Sequence, residues 1–345
     1  MAADLDLGPG LDLGPGLDLG AIREAYERDG YVIVDGVIAP QDLGRLRAAA
    51  DSVTRLTRAG HWPHRRIVGK QFPPFDTAAS ADSWGVQHLL HPDLAHHADF
   101  VAFYASSPLV DVCAALLGVD EARMQLELFN LLIEPAAHAF ALGWHRDDIR
   151  ADVPADEEQQ RLAAPLYGVQ WNAALWDDDC LFIVPGTHRR LRTEEEKRAN
   201  ERKPPDAVPV DTAAPPSEER GPIDGAWDVD PPSTKRVYLK AGQTAFYSQR
   251  ILHRASYVAS KKRATLHGCY GGIPEPTPTA SDAEQEAQQT AVSERARMVL
   301  QHGVEWMRQA QFGHDLPDRL QPMWRNLLEM DKAHSTKELG YSLDG

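Results

Sequence analysis

The order of helical and β-forming segments constrains the fold of this chain more than any other feature of its sequence. Helical segments and one short β-forming segment come before residue 118, and β-forming segments fill the middle of the chain. Helical spacing returns at residues 282–310. A parallel sheet would require strands and helices to alternate along the chain. The order therefore predicts an α+β protein with an antiparallel β core.

Individual segments can be assigned from composition and spacing. Ile22, Ala25 and Tyr26 share one helical face, and Asp29-Gly30 ends that helix. Further helices are predicted at 41–53, at 97–117 with a break at Ser106-Ser107-Pro108, and at 282–310 with Ser281 as N-cap. Strands are predicted at 31–34, 125–133, 167–175, 180–184, 237–239, 244–247 and 264–270.

Two segments fall outside this pattern. Residues 1–20 repeat Leu-Asp-Leu-Gly with Pro and Gly, which predicts a flexible tail. Eight of the 25 prolines lie within residues 204–232, so 190–236 is predicted to be an irregular insert and a candidate lid. The remaining residues divide into one main domain at 21–275 and a helical C-terminal arm at 276–345, which could cover the core or mediate a homodimer.

Charge and cysteine content exclude several classes of protein. The chain has 36 Lys and Arg against 51 Asp and Glu, a net charge of −15, so a basic face for nucleic acid is not expected. Its three cysteines form no CxxC pair, which is typical of a reducing compartment. No apolar run approaches the roughly 20 residues that span a bilayer. We expect a cytoplasmic protein that binds neither membrane nor nucleic acid.

Three His-x-Asp patterns are candidates for a metal site. On a strand, residues i and i+2 point to one face and can reach one ion. His91-Pro92-Asp93 contains a proline, which a sheet disfavours. His97-Ala98-Asp99 opens a helical stretch, where these positions diverge. Only His145-Arg146-Asp147 lies in the β-rich middle, so it is the candidate pair.

A third ligand and a cationic partner follow downstream. The segment Leu239–His253 has the composition of a turn, a strand and a short connection that ends in histidine. Arg263 follows ten residues later, and Thr265 shares its strand face. Two histidines and one carboxylate form the set that leaves three positions open on non-haem Fe(II). The guanidinium of Arg263 offers a planar fork for a carboxylate.

These segments resemble, in order, the phytanoyl-CoA dioxygenase branch of the Fe(II)/2-oxoglutarate oxygenases. The resemblance covers about residues 21–275. It rests on the opening helix and strand at Glu27–Val37, the motif Trp144–Asp147, the strands and Pro-Gly-Thr-His turn within Trp171–His188, and Gly242–Arg263. It implies a double-stranded β-helix (a cupin-like jelly roll) with flanking N- and C-terminal helices.

The resemblance also implies roles for single residues. His145, Asp147 and His253 would bind Fe(II), leaving positions for 2-oxoglutarate and O2. Four further residues are implied at the cosubstrate: Arg263 on its distal carboxylate, Thr265 as a helper, and Asn130 and Trp171 nearby.

Two positions depart from the family pattern. Ala255 stands where the family often has Ser or Thr, with Ser256 one residue later, and Asp178-Asp179 replaces the usual Asn-Gly. These departures affect the expected hydroxyl contact and the local turn, not the metal ligands.

The expected activity is hydroxylation of a small organic metabolite or natural product, with decarboxylation of 2-oxoglutarate to succinate. The carboxylate of Asp147 favours hydroxylation over halogenation, because halogenating relatives free that coordination position. Three alternatives stay open: an acyl-CoA hydroxylase of the same mechanism, a metal-dependent isomerase or hydrolase on a jelly roll, and a non-catalytic binding module.

Overall fold

The computed structural model describes residues 17–333 without 71–75, 77, 79–80, 165, 210–222, 224, 226, 274, 276–280 and 302–303. Its α-helices are α1 Leu19–Asp29, α2 Pro40–Arg58, α3 His97–Tyr104, α4 Ser107–Leu117, α5 Ala155–Ala163, α6 Glu194–Glu201, α7 Asp282–Gln301, α8 Ala310–Asp315 and α9 Gln321–Ala333. Its strands are β1 Tyr31–Val34, β2 Arg65–Ile67, β3 Ser83–Val86, β4 Met124–Ile133, β5 His138–His145, β6 Gly168–Ala174, β7 Leu181–Val184, β8 Val208–Pro209, β9 Lys235–Arg236, β10 Thr244–Tyr247, β11 Leu252–Tyr257 and β12 Ala264–Gly272.

Local sequence signals set the ends of the first helix. The side chain of Asp18 accepts a hydrogen bond from the backbone N–H of Ala21, which caps the N-terminus of α1. Gly30 follows the last turn with φ of 81°, a conformation that costs glycine little, and the chain then enters β1. The predicted helix end and the predicted strand at 31–34 are both confirmed.

The described strands form two sheets in which all pairings are antiparallel. The larger sheet has the order β1-β10-β6-β12-β4-β3-β2, and the smaller has β8-β5-β11-β7-β9. Most strands that are adjacent in a sheet come from distant parts of the sequence, such as β4 beside β12 and β5 beside β11, as a jelly roll requires. The predicted α+β class with a double-stranded β-helix core is confirmed.

Side chains from both sheets fill the space between them. One interior cluster joins Trp84 and Leu132 of the larger sheet to Phe140 and Tyr257 of the smaller sheet. A second cluster joins residues of β1, β6 and β10 to residues of β7. Burial of these apolar surfaces is the main force that closes the two sheets against each other. Helices α1 to α4 and the C-terminal arm cover the outer face of the larger sheet.

The structure corrects several expectations at the level of single elements. Residues 138–145 form β5, which was not predicted as a strand, and 237–239 lie outside any strand. Part of the proline-rich insert folds as α6, β8 and β9, so the expectation of an irregular loop is wrong there. Of the predicted tail, residues 1–16 lie outside the described residues, and α1 already begins at Leu19.

Strands β8 and β9 of the insert extend the smaller sheet at its two edges, and other described insert residues pack on the outer face of that sheet. Ala199 of α6, Ile223 and Trp227 form a cluster with Trp144 of β5 and Phe182 of β7. Trp144 and His145 are consecutive on β5, so their side chains point to opposite faces. These insert residues therefore cover the face opposite His145.

The described part of the C-terminal arm contains α7, α8 and α9, and α9 packs against β4. In the described residues no single helix is long and apolar enough to cross a membrane, and α3 and α4 meet that test only as a bent pair.

Candidate metal and cosubstrate site

Three side chains that can bind a metal meet at one end of the interior. His145 is the last residue of β5, and its strand partner on β11 is His253. Asp147 follows in the bend after β5, with Oδ1 3.4 Å from His145 Nε2 and Oδ2 3.8 Å from His253 Nε2. The three ligand atoms lie within 4.8 Å of one another. The structure thus brings together the three residues predicted to bind Fe(II).

Backbone carbonyls orient both imidazole rings. The Nδ1 of His145 lies 2.8 Å from the carbonyl oxygen of Gly143, and the Nδ1 of His253 lies 2.9 Å from that of Ile251. A carbonyl oxygen can only accept, so Nδ1 carries the proton in each ring. The Nε2 lone pairs are therefore directed at the shared centre, the arrangement in which a second hydrogen bond fixes a metal-binding histidine.

The charge states of these groups suit a divalent cation. Burial disfavours the charged form of Asp147, but His253 and His145 outweigh that effect and hold the pKa of Asp147 far below its usual range. Burial and the neighbouring His145 lower the pKa of His253 to about 4, so this ring is neutral at pH 7. Burial opposes protonation of His145, yet the hydrogen bond and charge of Asp147 raise its pKa overall, so protons compete with a cation more strongly there than at His253.

Two glutamines hold Asp147 in place. The side-chain Nε2 of Gln170, on β6, donates to Asp147 Oδ2 at 2.7 Å. The backbone carbonyl of Gln249 accepts from the N–H of Asp147 at 2.9 Å. Neither residue was predicted. The sequence contains a signal for Gln170, because it lies two residues before Asn172 on a mostly apolar predicted strand. Two polar residues at this spacing point to the same face of the strand.

Replacement of Gln170 by alanine should weaken metal binding by about 10–100-fold, the cost of removing a partner that orients a metal ligand. The fold should be retained, because the change leaves no charge unpaired. Calorimetric titration with Mn(II) measures the effect. Gln243→Ala is the matched control, since that amide donates to Asp35 and not to Asp147. Equal Mn(II) affinities of the Gln170 variant and the wild type would contradict a supporting role.

Asn130 lies on the interior surface between the triad and the start of β12. Its strand partner His267 also pairs with Asn172 of β6, and His267 Nδ1 lies 2.8 Å from Asn172 Oδ1. The Oδ1 of Asn130 accepts from the backbone N–H of His88 at 3.0 Å. Its Nδ2 is buried and has no hydrogen-bond partner among the described residues, so one donor is left for a ligand.

Arg263 and Thr265 lie together at the far end of the same surface. Both are buried, and Arg263 Nε donates to Oδ2 of Asp178 at 2.8 Å. The hydroxyl of Thr265 donates to the same oxygen. Arg263 Nη1 is buried and has no hydrogen-bond partner among the described residues. We did not predict from the sequence that Asp178 pairs with Arg263. The sequence shows only that Asp178 stands where the family usually has Asn.

The structure places Trp171 away from this surface, so the expectation that it lies beside the cosubstrate is wrong. Successive residues on β6 alternate faces, and Gln170 and Asn172 point inward. Trp171 points outward and packs edge-on against Phe103, with ring centroids 5.7 Å apart. A Cβ at Gly268 would lie 2.3 Å from the indole ring, so glycine is needed there to admit it.

The model of the phytanoyl-CoA dioxygenase (PhyH) family matches residues 26–265. Comparison with curated protein sequences gave no match. AviO1 from Streptomyces viridochromogenes Tue57 is a similar solved structure, with 18% identity, a TM-score of 0.50, and coverage of 78% of this chain and 99% of AviO1.

Two further solved structures are similar at lower scores. EctD from S. alaskensis, solved with 2-oxoglutarate and 5-hydroxyectoine, has 15% identity and a TM-score of 0.48, covering 76% of this chain and 78% of its own. EvdO2 from Micromonospora carbonacea var. aurantiaca, complexed with 2-oxoglutarate, has 15% identity and a TM-score of 0.44, covering 77% and 96%. Of these three structures, only AviO1 reaches a TM-score of 0.50. At 18% identity, its similarity to this chain concerns the fold alone.

The family match spans well over half of the chain and includes the triad, Asn130, Arg263 and Thr265. The chain therefore belongs to the phytanoyl-CoA dioxygenase (PhyH) family and is a non-haem iron, 2-oxoglutarate-dependent dioxygenase.

Proposed function

We propose that this dioxygenase hydroxylates a small organic metabolite or natural product in the cytoplasm, and couples this reaction to decarboxylation of 2-oxoglutarate to succinate. One observation carries the proposal. The His145, Asp147 and His253 triad shares an interior surface with two buried donors that have no partner among the described residues, Nη1 of Arg263 and Nδ2 of Asn130. A metal at one end and an anion-binding donor at the other suit a 2-oxo dicarboxylate.

The triad would hold Fe(II) through two neutral imidazoles and one carboxylate. Bound Fe(II), with 2-oxoglutarate and O2, supplies the oxidising chemistry, which side chains alone cannot provide. His145, Asp147 and His253 set the coordination geometry and leave positions open. The carboxylate of Asp147 would itself occupy the position that halogenating relatives free for an external anion, which supports hydroxylation over halogenation.

Arg263 would bind the distal carboxylate of 2-oxoglutarate through Nη1. Thr265 and Cys269 are four residues apart on β12, which corresponds to about 13 Å of strand. Cys269 pairs across the sheet with Gln170, and the side chain of Gln170 donates to Asp147. The arginine end of the surface is therefore about 13 Å along the strand from the metal end. An extended five-carbon dicarboxylate can bridge this distance with the help of the Arg263 side chain. Thr265 supports Arg263 indirectly, because its hydroxyl is engaged by Asp178.

Three basic residues that could bind the phosphates of an acyl-CoA are each paired with an acid. Binding of the phosphate groups of coenzyme A requires cations that are free to pair with them. The observed pairs are Arg190 with Glu196, Lys261 with Asp179, and Lys262 with Asp51. This pairing favours a small substrate over an acyl-CoA. The three cysteines are buried free thiols, which supports the cytoplasmic location.

Succinate formation tests the proposal. Anaerobically purified protein is supplied with Fe(II), 2-oxoglutarate and O2 and a panel of small organic compounds and acyl-CoA thioesters. We expect succinate above the level of a His145→Ala control, with the largest increase for a small compound. An isomerase or hydrolase that uses the metal alone, or a binding module, would consume no 2-oxoglutarate. Succinate at the control level across the whole panel would refute the oxygenase reaction.

A further inference from the structure

Arg263 already has an anionic partner inside the protein. The carboxylate of Asp178 accepts from Arg263 Nε at 2.8 Å and from the hydroxyl of Thr265. Its other oxygen accepts from the backbone N–H of Cys180 at 2.8 Å. The backbone of Asp178 is also bonded in both directions to Leu239. Asp178 is therefore fixed by the fold and does not depend on Arg263 for its position.

This carboxylate is charged and faces a single guanidinium. Burial opposes ionisation of Asp178, but Arg263 and the hydrogen bond from Thr265 outweigh it and lower its pKa. The nearby cations Lys261 and Arg236 pair with Asp179 instead. The positive charge of Arg263 therefore offsets the negative charge of the buried Asp178 carboxylate.

We propose that Asp178 sets the affinity of this enzyme for 2-oxoglutarate, because it holds the Nε edge of Arg263 and offsets the charge that the distal carboxylate would meet. The proposal rests on the cosubstrate role of Arg263 proposed above. Two carboxylates then share one guanidinium, Asp178 at Nε and the cosubstrate at Nη1. Like charges on one buried cation repel each other, and little solvent is present to screen them. Asp178 is a positioning residue that acts through Arg263.

The variant Asp178→Asn separates charge from shape. Asparagine keeps an oxygen that can accept from Arg263 Nε but removes the negative charge. The protein is loaded with redox-inert Mn(II) and titrated calorimetrically with 2-oxoglutarate and with 2-oxopentanoate, which has the same chain length without the distal carboxylate. We expect Asp178→Asn to bind 2-oxoglutarate at least about ten-fold more tightly and 2-oxopentanoate unchanged. A merely structural role would not produce this difference between the two ligands.

Asp179→Asn is the matched control, because it removes a neighbouring buried carboxylate that pairs with Arg236 and Lys261 and not with Arg263. It should leave both affinities unchanged. Unchanged or weaker binding of 2-oxoglutarate to Asp178→Asn would overturn the proposal for Asp178. If Arg263→Ala also bound 2-oxoglutarate with the affinity of the wild type, the refuted hypothesis would be that Arg263 binds the cosubstrate.

Wild-type protein gives a second test that does not depend on any variant. An arginine with no other anion should gain up to about 100-fold in affinity from the distal carboxylate, the range of a charge-assisted hydrogen bond. With Asp178 present, we expect 2-oxoglutarate to bind less than about ten-fold more tightly than 2-oxopentanoate. A preference of about 100-fold in the wild type would overturn the proposal.

Discussion

Replacement of His145 or His253 by alanine should abolish metal-dependent turnover of 2-oxoglutarate. Each ring supplies an oriented Nε2 to the same centre, and Asp147 cannot reposition to replace it because Gln170 and the Gln249 carbonyl hold it. Loss of a residue that only orients a ligand costs about 10–100-fold, so loss of a ligand should cost about 1,000-fold or more. Succinate formation and the metal content after gel filtration measure the effect.

His96→Ala is the control for this pair of variants, because His96 is an exposed histidine outside the site. It should keep the metal content and the activity of the wild type. Thermal unfolding of the metal-free proteins shows whether each variant keeps its fold. A folded His253→Ala protein that retained a full equivalent of Fe(II) and normal turnover would contradict the assignment of the triad.

Replacement of Arg263 by alanine should lower both the stability of the protein and its affinity for 2-oxoglutarate. The change leaves the carboxylate of Asp178 buried without its cationic partner, which should lower the free energy of unfolding by about 3–5 kcal/mol. It also removes the donor proposed for the distal carboxylate, so 2-oxoglutarate affinity should fall to that of 2-oxopentanoate. Chemical denaturation and calorimetry of the Mn(II) form measure these two quantities.

The double variant Arg263→Ala with Asp178→Asn separates these effects. Without the unpaired charge, much of the lost stability should return, because the neutral amide costs less to bury. The affinity for 2-oxoglutarate should stay low, because the donor is still absent. Recovery of 2-oxoglutarate affinity in the double variant would mean that Arg263 acts only through stability and does not bind the cosubstrate.

The sequence was sufficient to predict the residues that meet at the metal centre. His145 and Asp147 are local, and their position in the β-rich middle singled them out from two similar patterns. His253 and Arg263 followed from their order and spacing within one segment. The fold class could be predicted because the order of helical and β segments leaves few ways to bury the apolar strands.

Features that depend on strand register or on distant pairing could not be predicted. The inward or outward direction of Trp171 depends on which face of β6 closes the interior, and a shift of one residue reverses it. Asp178 and Arg263 are 85 residues apart, and only the folded chain brings them together. The strand β5 contains the weak β-formers Ala and Gly, and its pairing with β11 imposes the strand conformation.

One interior site that joins a metal to a dicarboxylate makes the two bindings interdependent. Calorimetric titration of 2-oxoglutarate under anaerobic conditions, into metal-free and into Fe(II)-loaded wild-type protein, measures this coupling. We predict one equivalent of 2-oxoglutarate per chain and an affinity at least about ten-fold higher with Fe(II) bound. Equal affinity for 2-oxoglutarate in the presence and absence of Fe(II) would show that the cosubstrate does not bridge His145, Asp147 and His253 to Arg263.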